Sequence, residues 1–211
     1  MPRDVQVFVI DDDEAVLRSL CWLIESADHP AKGFSSADEF LSDLPAAQGC
    51  GCIVTDVRMP GMSGVELLGE LADRGNNLPV VVISAHGDVQ MAVEAMRLGA
   101  LDFVEKPFEE KALLEVVERA LLESEQRQQT LSADADVRKR FDTLTPRERE
   151  VLEILLAGQP NRRVAKALNI SEKTVEAHRA NIREKVGAAS FAELVTKAVQ
   201  TGFQRSKANN D

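Results

Sequence analysis

The feature that most constrains the fold is an alternation of short apolar runs with amphipathic stretches over the first 120 or so residues. Five runs have the length and residue types of buried strands, and helical spacing of apolar residues follows each of them. The predicted strands are Val5–Ile10, Lys32–Phe34, Cys52–Thr55, Val80–Ile83 and Phe103–Val104. The predicted helices are Glu14–Ser26, Ala37–Leu44, Val65–Leu71, Val89–Leu98 and one that begins near Glu109. This alternation predicts a doubly wound α/β domain, with a parallel sheet covered on both faces.

The pattern changes after Leu122. Residues 123–142 are polar and contain neither Gly nor Pro, which is typical of a prolonged helix or of a loose linker. From Thr145 onwards the spacing is purely helical, in four short segments separated by turn residues. We therefore predict an α/β domain over residues 1–122, a linker over 123–142 that is either helical or loose, and an all-α four-helix domain over 143–205.

Charge divides the chain in the same way. Residues 1–122 carry 9 basic and 22 acidic side chains, whereas residues 123–211 carry 16 basic and 13 acidic ones. The second part is therefore the one suited to approach phosphates. No apolar run reaches the ~18 residues that span a bilayer, the N-terminus does not resemble a signal peptide, and three cysteines are too few for a disulfide framework. We expect a cytoplasmic protein without a membrane partner.

Polar residues of the first domain fall where its strands end, which is where parallel sheets bind ligands. They are Asp11, Asp12 and Asp13 after the first strand, Asp56 after the third, Ser84 after the fourth and Lys106 after the fifth. Crowded carboxylates favour a hard divalent cation, and Mg²⁺ suits them best. A lysine and a hydroxyl suit a phosphoryl group, and a carboxylate can be the nucleophile that accepts it. A lone Asp at a strand end is more often a helix cap, and for Asp13 we expect a cap or a solvated acid.

Four sequence blocks resemble the motif set of response-regulator receiver domains, in the right order. They are Val9-Ile10-Asp11-Asp12-Asp13, Asp56 to Gly64, Ser84-Ala85 and Lys106-Pro107-Phe108. The resemblance covers roughly residues 4–122 and implies a flavodoxin-like fold with five parallel strands.

The same resemblance assigns roles to the residues at the strand ends. It makes Asp56 the phosphoacceptor, and it implies that Ser84 and Lys106 bind phosphoryl oxygens and that Phe103 is an aromatic switch. It also implies a cis bond between Lys106 and Pro107. The implied Mg²⁺ ligands are Asp11, Asp12, Asp56 and the backbone carbonyl of Arg58.

The helical domain contains the pattern of a helix-turn-helix. Its first helix begins at Thr145-Pro146, with Thr as cap and Pro in the first turn. The second helix is predicted over Asn161–Leu168, and after the turn at Asn169 a third helix runs to about Val186. Two short helices joined by a tight turn are typical of DNA-binding units, in which the second helix enters the major groove.

The segments from Leu144 to Leu152 and from Ile170 to Ile182 resemble the LuxR-type DNA-binding domain, over residues 143–203. With the receiver, they make the whole chain similar to the NarL/FixJ family, nearer the FixJ branch. One departure is Arg162-Arg163-Val164, where the family usually has Lys-Glu-Ile. The residues expected to face base edges are Lys173, Glu176, Ala177 and Ala180. Candidates for phosphate contacts, for which packing or solvation is an equal alternative, are Thr174, His178, Arg179, Asn181, Arg183 and Lys185.

We therefore interpret the chain as a response regulator of a two-component system and not as an enzyme, apart from the phosphorylation and dephosphorylation of its own receiver. A sensor histidine kinase would phosphorylate Asp56, and a homodimer would then bind a double-stranded DNA operator to regulate transcription, with RNA polymerase as a further partner. Residues 143–205 carry 11 basic and 7 acidic side chains, so a monomer should bind DNA weakly.

Two alternatives remain open on the sequence. A phosphatase with an aspartyl-phosphate intermediate uses the same residue types, but residues 11–15 lack the Thr or Val that ends its Asp-x-Asp-x-Thr/Val motif. A phosphorelay adaptor would pass on phosphate without touching DNA, and the helix-turn-helix pattern disfavours it. A DNA-binding assay separates the last alternative from the leading interpretation.

Overall fold

The five apolar runs form one parallel sheet in the computed structural model, which describes residues 5–44, 50–85 and 89–203. Neighbouring strands are all parallel, in the order β2-β1-β3-β4-β5. This order confirms the predicted doubly wound fold, in which ligands bind beyond the carboxyl ends of the strands. The strands are β1 Val5–Ile10, β2 Ala31–Phe34, β3 Cys50–Asp56, β4 Val80–Ser84 and β5 Asp102–Glu105.

Five helices alternate with these strands, and polar caps fix where several of them begin. Asp13 accepts hydrogen bonds from the amides of Ala15 and Val16, and Ser63 forms a capping box with Glu66. Such caps bind amides that have no partner inside the helix. The helices are α1 Glu14–Ser26, α2 Ala37–Ser42, α3 Gly64–Asp73, α4 Val89–Arg97 and α5 Glu110–Asp142.

The sheet has an apolar core on each face because successive side chains of a strand point to opposite sides. Ile53 of β3 packs in the core that includes residues of α2, α3 and α4. Its neighbours Cys52 and Val54 pack in the other core, with residues of α1 and α5. Burial on both faces fixes the register of the central strands, and with it the places where their carboxyl ends lie.

Helix α5 includes the residues 123–142 that the sequence predicted as a linker. Ser124 is buried and accepts a hydrogen bond from the amide of Gly51 at 3.0 Å. Arg127 donates to the Asn77 carbonyl at 3.0 Å. The chain divides into two compact units between Gln129 and Thr130, so these contacts of the first unit extend beyond Leu122. Residues 1–4, 45–49, 86–88 and 204–205 of the predicted domain ranges lie outside the described residues.

The second unit is helical. The Thr145 side chain caps its first helix in a box with Glu148, and Asn169 and Gly187 end the second and third helices in the left-handed conformation. Its core includes Val151, Val164, Val175, Ile182 and Leu194. None of the helices in the described part of the chain is long and apolar enough to cross a membrane. The helices after α5 are α6 Pro146–Leu156, α7 Asn161–Leu168, α8 Glu172–Val186 and α9 Phe191–Gln200.

Candidate functional sites

Three of the charged residues predicted at strand ends meet at the carboxyl edge of the sheet. The Lys106 ammonium donates to Asp56 Oδ1 at 2.8 Å and to Asp11 Oδ2 at 3.1 Å. The exposed fractions of these side chains are 22% for Lys106, 12% for Asp56 and 4% for Asp11. The site therefore places one cation between two carboxylates, one buried and one that solvent can reach.

Backbone contacts hold these side chains in place. The other Asp56 oxygen, Oδ2, accepts from the Arg58 amide at 2.7 Å, and Asp11 Oδ1 accepts from the Asp13 amide at 2.9 Å. The Lys106 amide donates to the Ser84 carbonyl at 2.7 Å, and the peptide bond between Lys106 and Pro107 is cis, as the resemblance implied. Asp13 itself is the cap of α1, one of the two roles expected for it.

Gly64 allows α3 to begin directly against the end of β3. A Cβ at this position would lie 2.2 Å from the backbone carbonyl oxygen of Asp56, which is closer than any real side chain approaches. The Gly64 amide also donates to the Val57 carbonyl at 3.0 Å. The absence of a side chain at residue 64 is therefore a condition for the position of Asp56.

Electrostatics in the site follow from burial and from the shared cation. Burial raises the pKa of Asp11 above its ordinary value of 3.8, although the Asp13 amide and Lys106 oppose this change. For Lys106, burial alone would lower the pKa, but hydrogen bonds to Asp56 and Asp11, together with their negative charges, raise it above 10.5. Lys106 is therefore a cation throughout the physiological range.

The predicted metal ligands are only partly assembled. Asp11 and Asp56 lie close together around Lys106, whereas Asp12 and Arg58 are exposed. Among the residues that the structure describes, no three His, Cys, Asp or Glu side chains form a group that could hold a metal ion. Carboxylate and carbonyl oxygens are nevertheless the donors that Mg²⁺ prefers, so the residue types fit this ion.

Ser84 and Phe103 lie on β4 and β5, the two strands that follow β3 in the sheet. Ser84 is the last residue of β4 and is buried. Phe103 of β5 pairs with Val82 and is half-buried against the core of α2, α3 and α4. Their roles as phosphate ligand and aromatic switch stay predictions.

In the second unit, α8 has one buried and one exposed side. Val175, Ile182 and Val186 are buried on one side of the helix. The exposed side is polar or small, as a helix in the major groove requires. All residues predicted to face base edges are exposed: Lys173, Glu176, Ala177 and Ala180.

The residues predicted to contact phosphates differ in whether their side chains already form hydrogen bonds to other residues of the same unit. Arg179 donates to Asn161 Oδ1 at 2.7 Å, Lys185 donates to Glu148 Oε2 at 2.7 Å, and the Thr174 hydroxyl lies 2.8 Å from that of Ser171. Arg183 is exposed and its side chain has no hydrogen bond or ion pair with any residue that the structure describes. Asn181 is exposed, and His178 is half-buried.

Comparison with known proteins identifies both units. Residues 7–118 match the family model of the response regulator receiver domain, and residues 142–198 match that of the bacterial regulatory proteins of the luxR family. The chain is 48% identical over 96% of its length to the transcriptional regulatory protein FixJ of Azorhizobium caulinodans, of which it covers 95%. It belongs to the FixJ-type response regulators.

Solved structures resemble this FixJ-type regulator over nearly its whole length. The response regulator StyR is 40% identical with a TM-score of 0.77, and the match covers 93% of this chain and 98% of that one. Full-length FixJ from B. japonicum is 41% identical with a TM-score of 0.56, and the match covers 95% of this chain and 98% of that one.

The family settles the general function. The chain is a DNA-binding transcriptional regulator and not a classical enzyme, so the phosphatase and the adaptor without DNA binding are set aside. A kinase and DNA are the partners of such regulators in general, and receiver domains generally bind Mg²⁺ at the phosphorylation site.

Sequence reasoning missed several residues of this regulator that surround the recognition helix. Glu148 is buried and binds Lys185, although the Thr145-to-Glu148 spacing of a capping box could have marked it as structural. Asn161 and Phe191 contact Arg179, and no local sequence signal announces either contact. Helix α7 also carries three basic residues and no acidic one: Arg162, Arg163 and Lys166.

Proposed function

We propose that Asp56 accepts a phosphoryl group from a sensor histidine kinase, and that the phosphorylated protein dimerises and binds operator DNA. The observation that carries this proposal is the Lys106 ammonium, which lies within hydrogen-bond distance of both Asp56 and Asp11. A fixed cation beside the acceptor lowers the repulsion between a carboxylate and an incoming anionic donor. It can then pair with a phosphoryl oxygen in the product.

The reaction is a transfer between two nucleophiles. A carboxylate oxygen of Asp56 attacks the phosphorus of a phosphohistidine, a P–O bond forms, the P–N bond breaks, and the imidazole leaves and takes a proton from water. Asp56 is accessible enough for this attack, and the Arg58 amide orients its carboxylate. Ser84 and Lys106 then bind phosphoryl oxygens.

The cofactor in this proposal is Mg²⁺, held by Asp11, Asp12, Asp56 and the backbone carbonyl of Arg58. When bound, it neutralises negative charge on the phosphoryl group. The two carboxylates that already meet at the site supply oxygen donors of the type this ion prefers. The exposed Asp12 adds a third carboxylate at the same strand end.

Dimerisation uses the face formed by α4, β5 and the first turns of α5. Ser84 moves towards the phosphoryl group, and Phe103 turns inward into the space that this movement opens. Helix α4 supports the proposal because four large apolar side chains in and just after it are exposed: Val89, Val93, Met96 and Leu98. Apolar side chains exposed together are unusual on a monomer and typical of an interface.

The dimer presents two α8 helices to adjacent major grooves. Lys173, Glu176, Ala177 and Ala180 face base edges. The sequence candidates for contacts to the DNA backbone flank these positions: Thr174, His178, Arg179, Asn181, Arg183 and Lys185. Among the cations of this set, only Arg183 has no side-chain hydrogen bond or ion pair within the described part of the chain. The DNA-bound dimer then contacts RNA polymerase. The protein acts in the cytoplasm, where the DNA lies.

Acetyl phosphate with Mg²⁺ tests the phosphorylation step in the full chain. We expect the wild type to gain one acid-labile phosphoryl group and Asp56→Asn to gain none, because an amide is a poor nucleophile. Asp73→Asn, which changes an exposed acid of α3, is the control and should label like the wild type. Undiminished labelling of Asp56→Asn would remove Asp56 from the mechanism.

Sedimentation of the same samples tests dimerisation. The wild type should become dimeric when phosphorylated, and Val93→Glu should stay monomeric because it places a charge within the apolar face. Trp22→Glu replaces an exposed apolar residue of α1 and should dimerise normally. A phosphorylated wild type that stays monomeric yet binds DNA tightly would refute this part of the proposal.

A further inference from the structure

Arg179 lies where three helices of the DNA-binding unit meet. Its guanidinium donates to Asn161 Oδ1 at 2.7 Å, and its central carbon lies 4.6 Å from the centre of the Phe191 ring. Asn161 is the first residue of α7, and Phe191 is the first residue of α9. One side chain of α8 therefore contacts the helix before it and the helix after it.

We propose that Arg179 is a positioning residue, which fixes the recognition helix α8 against α7 and α9, and that it is not a phosphate ligand. The inference deepens the DNA-binding function proposed above and rests on it. The angle between α7 and α8 decides how α8 enters the major groove, and so which base edges its exposed side can reach. A contact that fixes this angle affects sequence recognition without touching DNA.

The chemistry of the contact requires arginine. A planar guanidinium can stack on an aromatic ring with its face and donate a hydrogen bond from its edge at the same time. A lysine ammonium at the same place could make one of these contacts but has no planar face to stack. Arg179 is also half-buried, so part of its surface is already withdrawn from solvent and from any ligand.

Arg183 is the matched comparison, one helical turn further along α8. It is exposed, and its side chain makes no hydrogen bond or ion pair within the described part of the chain. Residues four apart lie on nearly the same side of a helix. The two arginines therefore share a helix side and a charge but differ in their protein contacts.

The test measures binding by the phosphorylated full chain to two probes over a series of salt concentrations. One probe is a duplex selected by the wild type from a randomised pool, and the other is a duplex of random sequence. The slope of log affinity against log salt counts phosphate contacts, at about 0.9 per contact. The ratio of the two affinities measures sequence discrimination.

We expect Arg179→Gln and Arg179→Lys to weaken binding to the selected duplex by at least about tenfold while the salt slope stays unchanged. Binding to the random duplex should change little, so discrimination falls. Arg183→Gln should instead weaken both probes alike and lower the slope by about 0.9 per protomer. Asn161→Ala should also lower discrimination at an unchanged slope, and the double variant should be little worse than Arg179→Gln, because both single variants lose the hydrogen bond between Arg179 and Asn161.

Arg179→Lys is the decisive variant because it keeps the charge and removes the stacked geometry. Wild-type affinity for Arg179→Lys, with a lowered slope for Arg179→Gln, would show that Arg179 binds phosphate and would overturn the inference. Additive effects of Asn161→Ala and Arg179→Gln would also overturn it. Asn161→Ala removes no residue of the apolar core between α7 and α8, so the comparison does not depend on a variant that fails to fold. If the wild type selects no duplex at all, the DNA-binding proposal fails, and the inference fails with it.

Discussion

The ion pair between the buried Glu148 and the partly exposed Lys185 should make a measurable contribution to the stability of the DNA-binding unit. Glu148 has a side chain only 5% exposed and accepts hydrogen bonds from Lys185 at 2.7 Å and from the Thr145 amide and hydroxyl at 2.8 and 3.0 Å. Lys185→Met removes the cation and keeps most of the apolar stem. The carboxylate then stays buried with its two contacts to Thr145 alone.

The loss of stability in Lys185→Met depends on how far water can replace the lost cation. Removing one partner of a fully buried pair costs about 3–5 kcal/mol, and a hydrogen bond to a charged group contributes about 1.5–3 kcal/mol. The Lys185 side chain is 36% exposed, so solvent compensates for part of this loss. We expect Lys185→Met to lower the free energy of unfolding by about 1–2 kcal/mol near neutral pH.

The effect of pH has a definite sign. Burial alone would raise the pKa of Glu148, but Lys185 and the two Thr145 groups together lower it below 4.5. A depressed carboxyl pKa stabilises the folded protein above the unfolded value of about 4.5, and this contribution is lost as pH falls through the folded pKa. The difference between wild type and Lys185→Met should therefore shrink on acidification, because a protonated Glu148 no longer needs the cation.

Urea unfolding of the full chain measures this difference. Hydrogen exchange at the amides of α6 and α8 reports the unfolding of the DNA-binding unit separately from that of the receiver. Lys139→Met is the matched control, since Lys139 pairs with Asp136 at 3.6 Å with side chains 79% and 70% exposed. Such a surface pair contributes about 0–1 kcal/mol. If Lys185→Met destabilises no more than Lys139→Met, or if its effect grows at low pH, the reasoning from burial is wrong.

Three further predictions concern other parts of the chain. Gly64→Ala should slow phosphorylation by acetyl phosphate and destabilise the receiver by about 1–3 kcal/mol, whereas Gly69→Ala on the same helix, where a Cβ would meet nothing within 4 Å, should do neither. Arg163→Glu, which introduces the acid that the family usually carries there, should weaken binding to all DNA sequences alike in a titration with labelled duplexes, because it places a negative charge near the DNA backbone. Burial raises the pKa of the Cys52 thiol to about 12, so alkylation of the native protein near neutral pH should modify the half-exposed Cys21 and spare Cys52, as mass spectrometry of the digested protein would show.

Local signals in the sequence predicted much of the fold. The bounds of β1 and α1 were predicted correctly because β-branched spacing and the Asp13 cap are both local features. Strand β3 begins at Cys50 and not at Cys52, because its first residues pair with Val5 and Gln6 of β1. Strand ends that depend on a partner strand leave no local trace in the sequence.

The candidate sites were predictable to different depths. The strand-end rule and the motif resemblance brought Asp11, Asp56 and Lys106 together, as the structure does. Asn161 as a partner of Arg179 and Glu148 as the partner of Lys185 were not predictable, because they lie 18 and 37 residues away along the chain. The sequence around an arginine on a helix does not show whether its side chain contacts a phosphate or a neighbouring helix.

The division of labour among the basic residues gives a physical reason why the proposed regulation would act through dimerisation. Several cations hold helices together: Arg147 donates to the Leu168 carbonyl, Lys197 to the Gly187 carbonyl at 2.6 Å, and Lys185 to Glu148. In α7 and α8, the cations whose side chains have no hydrogen bond or ion pair within the described chain are Arg162, Lys166 and Arg183, apart from Lys173, which is assigned to base edges. If each of these three contacts one phosphate, the salt slope is about 2.7 for one protomer and about 5.4 for two. A monomer with so few contacts gains little electrostatic affinity at physiological salt, and the proposed receiver dimer would double the contacts without any change in the recognition helix itself.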